Sequence, residues 1–262
     1  MPSASSSTEN DPRLRGVLWL AITAAIAFLL AAGFGPLVRL LPWSAEEAIA
    51  ARLGDVAESS GCTRPASKAA LERLVTRLYP LDARDHGFPL HVEVIRGDQV
   101  NAFASLGGHV FVFEGLLKMA KSPDELAGVL AHEIGHVARR HVLQKIALRL
   151  LFVPFTLGTS TGGIISPETL EILAHLKYGR QQEQEADLDG LDRLRLAHID
   201  SAPLARFLDA MAESTSAPEF LSDHPDARGR AELARSRAGG TTTPALDEFG
   251  WRELQRICER GD

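Results

Sequence analysis

The pentapeptide His132-Glu133-Ile134-Gly135-His136 brings together two imidazoles and a carboxylate at a spacing suited to metal-assisted hydrolysis. Positions i and i+4 share one face of a helix, so His132 and His136 can grip a single zinc ion. Glu133 is then placed to take a proton from a water activated beside them. A bare five-residue match also arises by chance in buried helices that happen to carry two histidines, and a third ligand must come from elsewhere. The acidic stretch Glu183-Gln184-Glu185-Ala186-Asp187, about fifty residues on, offers one. Glu183 and Asp187 stand four apart and so share a face. A carboxylate there would complete a site of two histidines and one glutamate with a position left open for water. Taken alone, such an acidic run would be a solvated helix face.

These residues need a helix, and the flanking sequence predicts one. Ser122 is a suitable N-cap, Pro123 fits the first turn, and Glu125 stands three residues after the cap. Leu126, Val129, Leu130, Ile134 and Val137 recur at three- and four-residue steps and form an apolar face. The pattern predicts that this helix runs on through His141 to about Leu151. Upstream, Ser44 to Leu53 suits a short helix, and Ser67 to Leu78 is clearly amphipathic. Between them and the motif lies a β region. His91 to Ile95 alternates, Val100 to Ala104 resumes after a turn, and His109 to Phe113 follows Gly107-Gly108. An exposed edge strand of such a sheet would hold an extended substrate by main-chain hydrogen bonds. Periodicity does not say which strand forms that edge, and Asn101, Ala102, Phe103 and Ala104 are the segment that the resemblance below favours. Residues 152–165 read as a loop against the domain or a membrane surface, and 167–176 as a further helix.

Composition sets the frame. The chain has 262 residues, 45% of them hydrophobic and 24% charged, an ordinary globular balance. A net charge of −6, a pI of about 5.9 and the lack of a basic stripe with interleaved aromatics argue against a nucleic-acid partner. There is no internal repeat. Arg13 and Arg15 precede an uncharged apolar run from Gly16 to Val38, long enough to cross a bilayer as a helix. An uncleaved anchor fits this run better than a cleaved signal peptide. The organisation expected is a disordered cytoplasmic tail over 1–15, a transmembrane anchor over 16–41, a helical segment over 42–89 and a catalytic domain over 90–262. The basic N-terminus would remain cytoplasmic, leaving a single-pass inner-membrane protein whose domain faces the periplasm. Cys62 and Cys258 suit that compartment and are a possible disulfide.

Several motifs in order carry a resemblance. Asn101-Ala102-Phe103-Ala104, Gly107-Gly108-His109, Gly115-Leu116-Leu117, the His-Glu-Ile-Gly-His motif, Glu183-x-Glu185-Ala186-Asp187, and His224-Pro225 with Arg230 together resemble the zinc metallopeptidase family of HtpX and the CAAX prenyl protease. The chain looks most like its small extracytoplasmic members related to BepA and the Oma-type peptidases, over about Leu90 to Leu233. The resemblance implies an α+β fold: a mostly helical zincin-like domain with a small sheet beside the metal helix, preceded by one N-terminal transmembrane helix. It also implies one zinc per chain held by His132, His136 and Glu183, with Glu133 as general base. Asp187 would orient a ligand histidine, and Glu185, two residues off the ligand face, is the runner-up ligand. His224 and Arg230 take a regulatory or transition-state role. Gly179 stands where relatives often carry Ser or Asn, and the single span sets the chain apart from the multi-span branches. The function implied is zinc-dependent endoproteolysis of membrane-associated or periplasmic proteins in quality control, with unfolded polypeptides as substrates. A chaperone-like or latent zinc protein, or a processing peptidase with one client, are the alternatives.

Overall fold

The computed structural model describes residues 17–19, 37–52, 61–80, 87–147, 178–213 and 219–259. The chain divides into two compact units, Met1–Leu40 with Gln144–Gly158, and Leu41–Leu143 with Thr159–Asp262. The first has few described residues, among them a helical turn over 17–19. Among the described residues no helix is long and apolar enough to cross a membrane. Residues 20–36, the body of the expected anchor, lie outside the described residues, as do 152–165 and 167–176.

The second unit holds the chemistry. It begins with α1 (Trp43–Arg52) and α2 (Pro65–Leu78). Pro65 opens α2 where a missing N–H has no helical partner to lose. Ala70, Leu71, Leu74, Val75 and Leu78 form its buried stripe. The β region then folds as β1 (His91–Ile95), β2 (Ala102–Ala104) and β3 (His109–Phe113), a three-stranded sheet in the order β1-β3-β2. β1 lies parallel to β3 with His91 opposite His109, and β2 antiparallel with Phe103 opposite Phe111. Successive side chains alternate faces. Ile95, Phe103 and Phe111 cluster on one face, and the valines and alanines of opposite parity fall on the other.

After the short α3 (Glu114–Met119) comes α4 (Pro123–Ala138), the helix of the His-Glu-Ile-Gly-His motif. Ser122 Oγ accepts from Glu125 N–H at 3.2 Å, and Glu125 Oε2 accepts from Lys121 N–H at 2.7 Å. Both bonds satisfy donors at the helix entry. β2 and β3 both pack on α4.

The exit differs from the sequence expectation. α4 stops at Ala138 instead of running through His141, because Arg140 takes the left-handed conformation, φ 53°. Its guanidinium turns into a buried setting over the Trp43 ring, 3.9 Å from the centroid, with Nε 3.3 Å from Glu46 Oε2 and a hydrogen bond to the Leu41 carbonyl. Glu46 Oε1 also accepts from Gly107 N–H at 3.2 Å. These tertiary contacts offset the local strain that a non-glycine residue carries there, and helix resumes at 141.

α5 (Arg180–Leu196) lies along α4, followed by α6 (Ala202–Glu213), α7 (Glu219–Asp223), α8 (Ala227–Ser236) and α9 (Glu248–Gln255). Two glycines set the α4–α5 spacing. A Cβ on Gly135 would meet the Ala186 carbonyl oxygen at 2.7 Å, and one on Gly190 would meet the Ala131 and His132 backbone at 3.0 Å. The helices therefore touch backbone to backbone beside His132 and Glu183. α6 packs on α4 and α8, while α9 packs on α2. A disulfide joins Cys62 to Cys258, and Cys62 N–H donates to Val94 O at 2.8 Å, so the segment after α9 is fastened beside β1. The fold is α+β, mostly helical, with a small sheet against the metal helix, in line with the sequence expectation.

Candidate active site

α4 aims His132 and His136 the same way, with 3.0 Å between their Nε2 atoms and both side chains buried. α5, held close by the glycine contact, brings Glu183 Oε1 to 3.4 Å from His136 Nε2. α7 ends at Asp223, and His224, the next residue, points Nδ1 to 3.1 Å from both His132 Nε2 and Glu183 Oε1. One ligand atom from each of these four residues lies within 4.8 Å of the others.

The ring nitrogens turned away from this cluster are taken. His132 Nδ1 is 2.8 Å from Asp187 Oδ1, and His136 Nδ1 is 2.9 Å from His141 Nδ1. Both Nε2 atoms therefore face the cluster, a close approach of nitrogens that a cation between them makes favourable. Glu183 Oε2 and Glu133 Oε1 are buried with no hydrogen-bond partner among the described residues. Such orphaned oxygens ordinarily carry a penalty. The donor set of imidazole nitrogens and one carboxylate is the kind that zinc takes. The residues fit a metal.

Glu133 stands beside the cluster. Its Oε2 accepts from Ala104 N–H at 2.9 Å, and its Oε1 lies 3.5 Å from His224 Nε2. Burial pushes its pKa above the ordinary value, against the pull of His224 and His132. Burial likewise holds His136 well below the usual imidazole range, so it stays neutral and able to bind a metal. Glu183 moves the other way. Burial would raise it, but the His224 charge, the close His136 and His224 side chains and the His132 charge outweigh that and hold it below the ordinary carboxylate range.

Arg230 on α8 reaches His132, with Nη2 3.0 Å from His132 Nδ1. Its Nε lies 3.0 Å from each Asp187 oxygen and its Nη1 3.4 Å from Glu183 Oε2, behind the ligands. It thus meets both carboxylates, Asp187 and Glu183. Asp187 Oδ1 sits against His132 Nδ1. Glu185 is not in the ligand cluster; its carboxylate meets His141 Nε2 at 3.3 Å.

The segment Asn101–Ala104 is enclosed in this structure. β2 is an edge strand by topology, but Asn101, Ala102, Phe103 and Ala104 are all buried. Asn101 Nδ2 reaches Asp223 Oδ2 at 3.4 Å, Phe220 N–H donates to the Val100 carbonyl, and the Ala104 N–H is engaged by Glu133. In this state the edge is closed to an extended substrate.

Two residues without a role in the sequence reading belong to the site. Tyr178 stacks on His136 with ring centroids 3.9 Å apart, and His141 sits fully buried against the same imidazole. His141 follows the motif by five residues, a spacing that on a continuous helix would point it about 140° away. No local signal marks it.

A buried H-E-x-x-H helix, a carboxylate from a second helix packed on it and a poised glutamate together define a metalloprotease centre. The chain belongs to Peptidase family M48, whose sequence pattern matches residues 65–238. Among relatives, the beta-barrel assembly-enhancing protease of Yersinia pestis is 33% identical over 168 residues, covering 57% of this chain and 35% of its own length. Metalloprotease LoiP of Escherichia coli is 31% identical over 191 residues, 69% of this chain and 75% of that protein. The mitochondrial metalloendopeptidase OMA1 of Schizosaccharomyces pombe is 36% identical over 154 residues, 53% and 44% of the two chains. This chain thus spans about a third of the length of the beta-barrel assembly-enhancing proteases it matches.

Proposed function

We propose that the chain is a zinc-dependent endopeptidase that cleaves unfolded or misfolded membrane-associated and periplasmic proteins. The carrying observation is the buried group His132, His136 and Glu183, with Glu133 anchored at one oxygen by Ala104 and unpaired at the other among the described residues. Zinc, held there by His132, His136 and Glu183, supplies a Lewis acid that makes water acidic near neutral pH and polarises a carbonyl. Glu133 Oε1 takes the proton from the attacking water, its basicity raised by burial. It then hands that proton to the leaving amine nitrogen. Asp187 holds His132 by its Nδ1 and keeps Nε2 forward.

The assignment to the envelope rests on Arg13 and Arg15 ahead of the apolar run 16–38 and on the Cys62–Cys258 disulfide, which suits an oxidising compartment. In this proposal residues 16–41 anchor a domain that faces the periplasm, and quality control is the role that relatives named for assembly enhancement favour.

A second reading is that of a resting state. His224 fills a fourth place in the ligand cluster, and structural zinc sites are closed where catalytic ones keep a position open. The buried β2 edge agrees with it. The test is cleavage of an unfolded model protein by the full chain in mild detergent, with zinc content, for wild type, Glu133→Gln and His224→Ala. Wild type that holds zinc and cuts, with an inert zinc-loaded Glu133→Gln, supports the peptidase. Cutting only by His224→Ala supports the resting state. Zinc in none of them sinks the site.

A further inference from the structure

We propose that His141 and Glu185 form an ordered hydrogen-bond relay that fixes His136 in its metal-binding tautomer, an inference that rests on the metallopeptidase reading above. Glu185 Oε1 accepts from Gln181 Nε2 at 2.9 Å, which orients the carboxylate, and Oε2 lies 3.3 Å from His141 Nε2. A carboxylate only accepts, so His141 Nε2 is the donor. A neutral imidazole has one N–H, which leaves His141 Nδ1 as an acceptor. The 2.9 Å contact between His141 Nδ1 and His136 Nδ1 must then run from His136 to His141. With its proton on Nδ1, His136 presents the Nε2 lone pair, the atom that faces His132 Nε2 and Glu183 Oε1. Each step dictates the next, from a side chain at the surface to the metal cluster.

The relay has a counterpart. Asp187 serves His132 directly, one contact from carboxylate to ring. Both carboxylates come from α5, as does the ligand Glu183. Asp187 shares the ligand face with Glu183, whereas Glu185 points to another side of the helix. His141 spans that offset. The backbone break at Arg140 makes this possible, because it turns His141 back to a ring-centroid distance of 5.0 Å from His136. His141 and Glu185 are positioning residues, since neither meets the cluster itself.

The test separates an acceptor from a space-filler. Asparagine can present its side-chain oxygen near the place of His141 Nδ1; leucine fills volume and accepts nothing. Full-length wild type, His141→Asn, His141→Leu, Glu185→Gln and Glu185→Ala are compared by zinc affinity against a competing chelator and by the electronic spectrum of the cobalt(II) form. Metal-free melting curves serve as the folding control. His141→Leu should weaken zinc by about 10- to 100-fold, the usual loss on removing such a partner, and shift the cobalt bands. His141→Asn should stay close to wild type. Glu185→Ala should weaken binding less, and Glu185→Gln, whose amide oxygen still accepts, should restore it. Wild-type affinity and spectrum in His141→Leu overturn the relay, as does an Asn variant that folds but binds as poorly as Leu. Should His141→Leu not fold, the Glu185 pair decides, and equal binding by Ala and wild type overturns the relay. A wild type that takes up neither metal defeats the metallopeptidase reading itself, and the relay falls with it.

Discussion

The backbone N–H of Ala104 donates to Glu133 Oε2 at 2.9 Å, so the sheet holds the carboxylate proposed as general base. In the β2–β3 ladder, Ser105 N–H reaches the His109 carbonyl and Phe113 N–H the Asn101 carbonyl. Antiparallel pairs alternate, which puts Phe103 in the ladder and turns the Ala104 N–H out of it. Proline at 104 therefore deletes the donor to Glu133 without breaking a ladder bond. Hydrogen bonds to charged groups contribute roughly 1.5–3 kcal/mol. Ala104→Pro should keep its zinc, hold KM and lose about 10- to 100-fold in kcat. Unchanged kcat in a zinc-loaded variant would show that Glu133 needs no such anchor.

The contact of α4 with α5 makes a second prediction. A methyl group at Gly135 has no room, with the Ala186 carbonyl oxygen at 2.7 Å, and one at Gly190 would press on the Ala131 and His132 backbone at 3.0 Å. Overpacking of this kind costs about 1–3 kcal/mol, and it moves Glu183 relative to the histidines. Gly135→Ala and Gly190→Ala should lower the urea midpoint of the metal-free chain and weaken zinc binding together. Gly179→Ala, whose Cβ would meet only Gln182 Oε1 at 4.0 Å, is the packing control. Stable, tightly binding Gly135 and Gly190 variants would mean the helices have slack that the structure does not show.

Much of this site was legible because its signals are local. The i, i+4 histidines, the Ser122 cap and the paired carboxylates of α5 all fall within one or two helical turns, where periodicity translates directly into direction. The β pattern of 91–113 was readable for the same reason. What was hidden depends on distant partners. Arg140 interrupts the helix because Glu46, Trp43 and the Leu41 carbonyl wait for it, and nothing next to it in sequence reports them. The break is what makes His141 a neighbour of His136. β2 is a short apolar run, and its sequence says nothing of Asn101 meeting Asp223 or of the burial of its edge. The position of Arg230 behind the ligands is likewise a matter of where α8 packs.

His136 fixes a pH dependence. Burial, with the His132 and His224 charges, holds its pKa well below the ordinary 6.5, against the pull of Glu183. As pH falls below about 6.5 the unfolded chain takes up a proton that the folded chain refuses. The stability tied to the neutral ring is thus present above that pH and lost as pH falls towards the folded pKa. His224, raised by Glu133 and Glu183 in spite of burial, acts with the opposite sign and remains in the comparison. In the metal-free protein, melting temperature should fall more steeply from pH 7.5 to 5.5 for wild type than for His136→Gln. Parallel slopes would place the titration elsewhere.

Arg230 is the buried cation behind the site. Its Nε meets both oxygens of Asp187, and Nη1 stands 3.4 Å from Glu183. Asp187 keeps a depressed pKa, because Arg230 and His132 outweigh its burial. Removal of one partner from such a group leaves uncompensated buried charge, at a cost of about 3–5 kcal/mol. Arg230→Met should lower the stability of the metal-free chain by that order, and by less when zinc neutralises Glu183. Arg230→Lys keeps the charge but lacks the fork that spans two carboxylates, so it should fall between. Adding Asp187→Leu to Arg230→Met removes one stranded carboxylate and should recover part of the loss. Urea titrations of the four proteins, with and without zinc, read all of this. If the double variant is no more stable than Arg230→Met, then the guanidinium acts by packing over Phe220, 5.7 Å from its ring centroid, and not by holding Asp187.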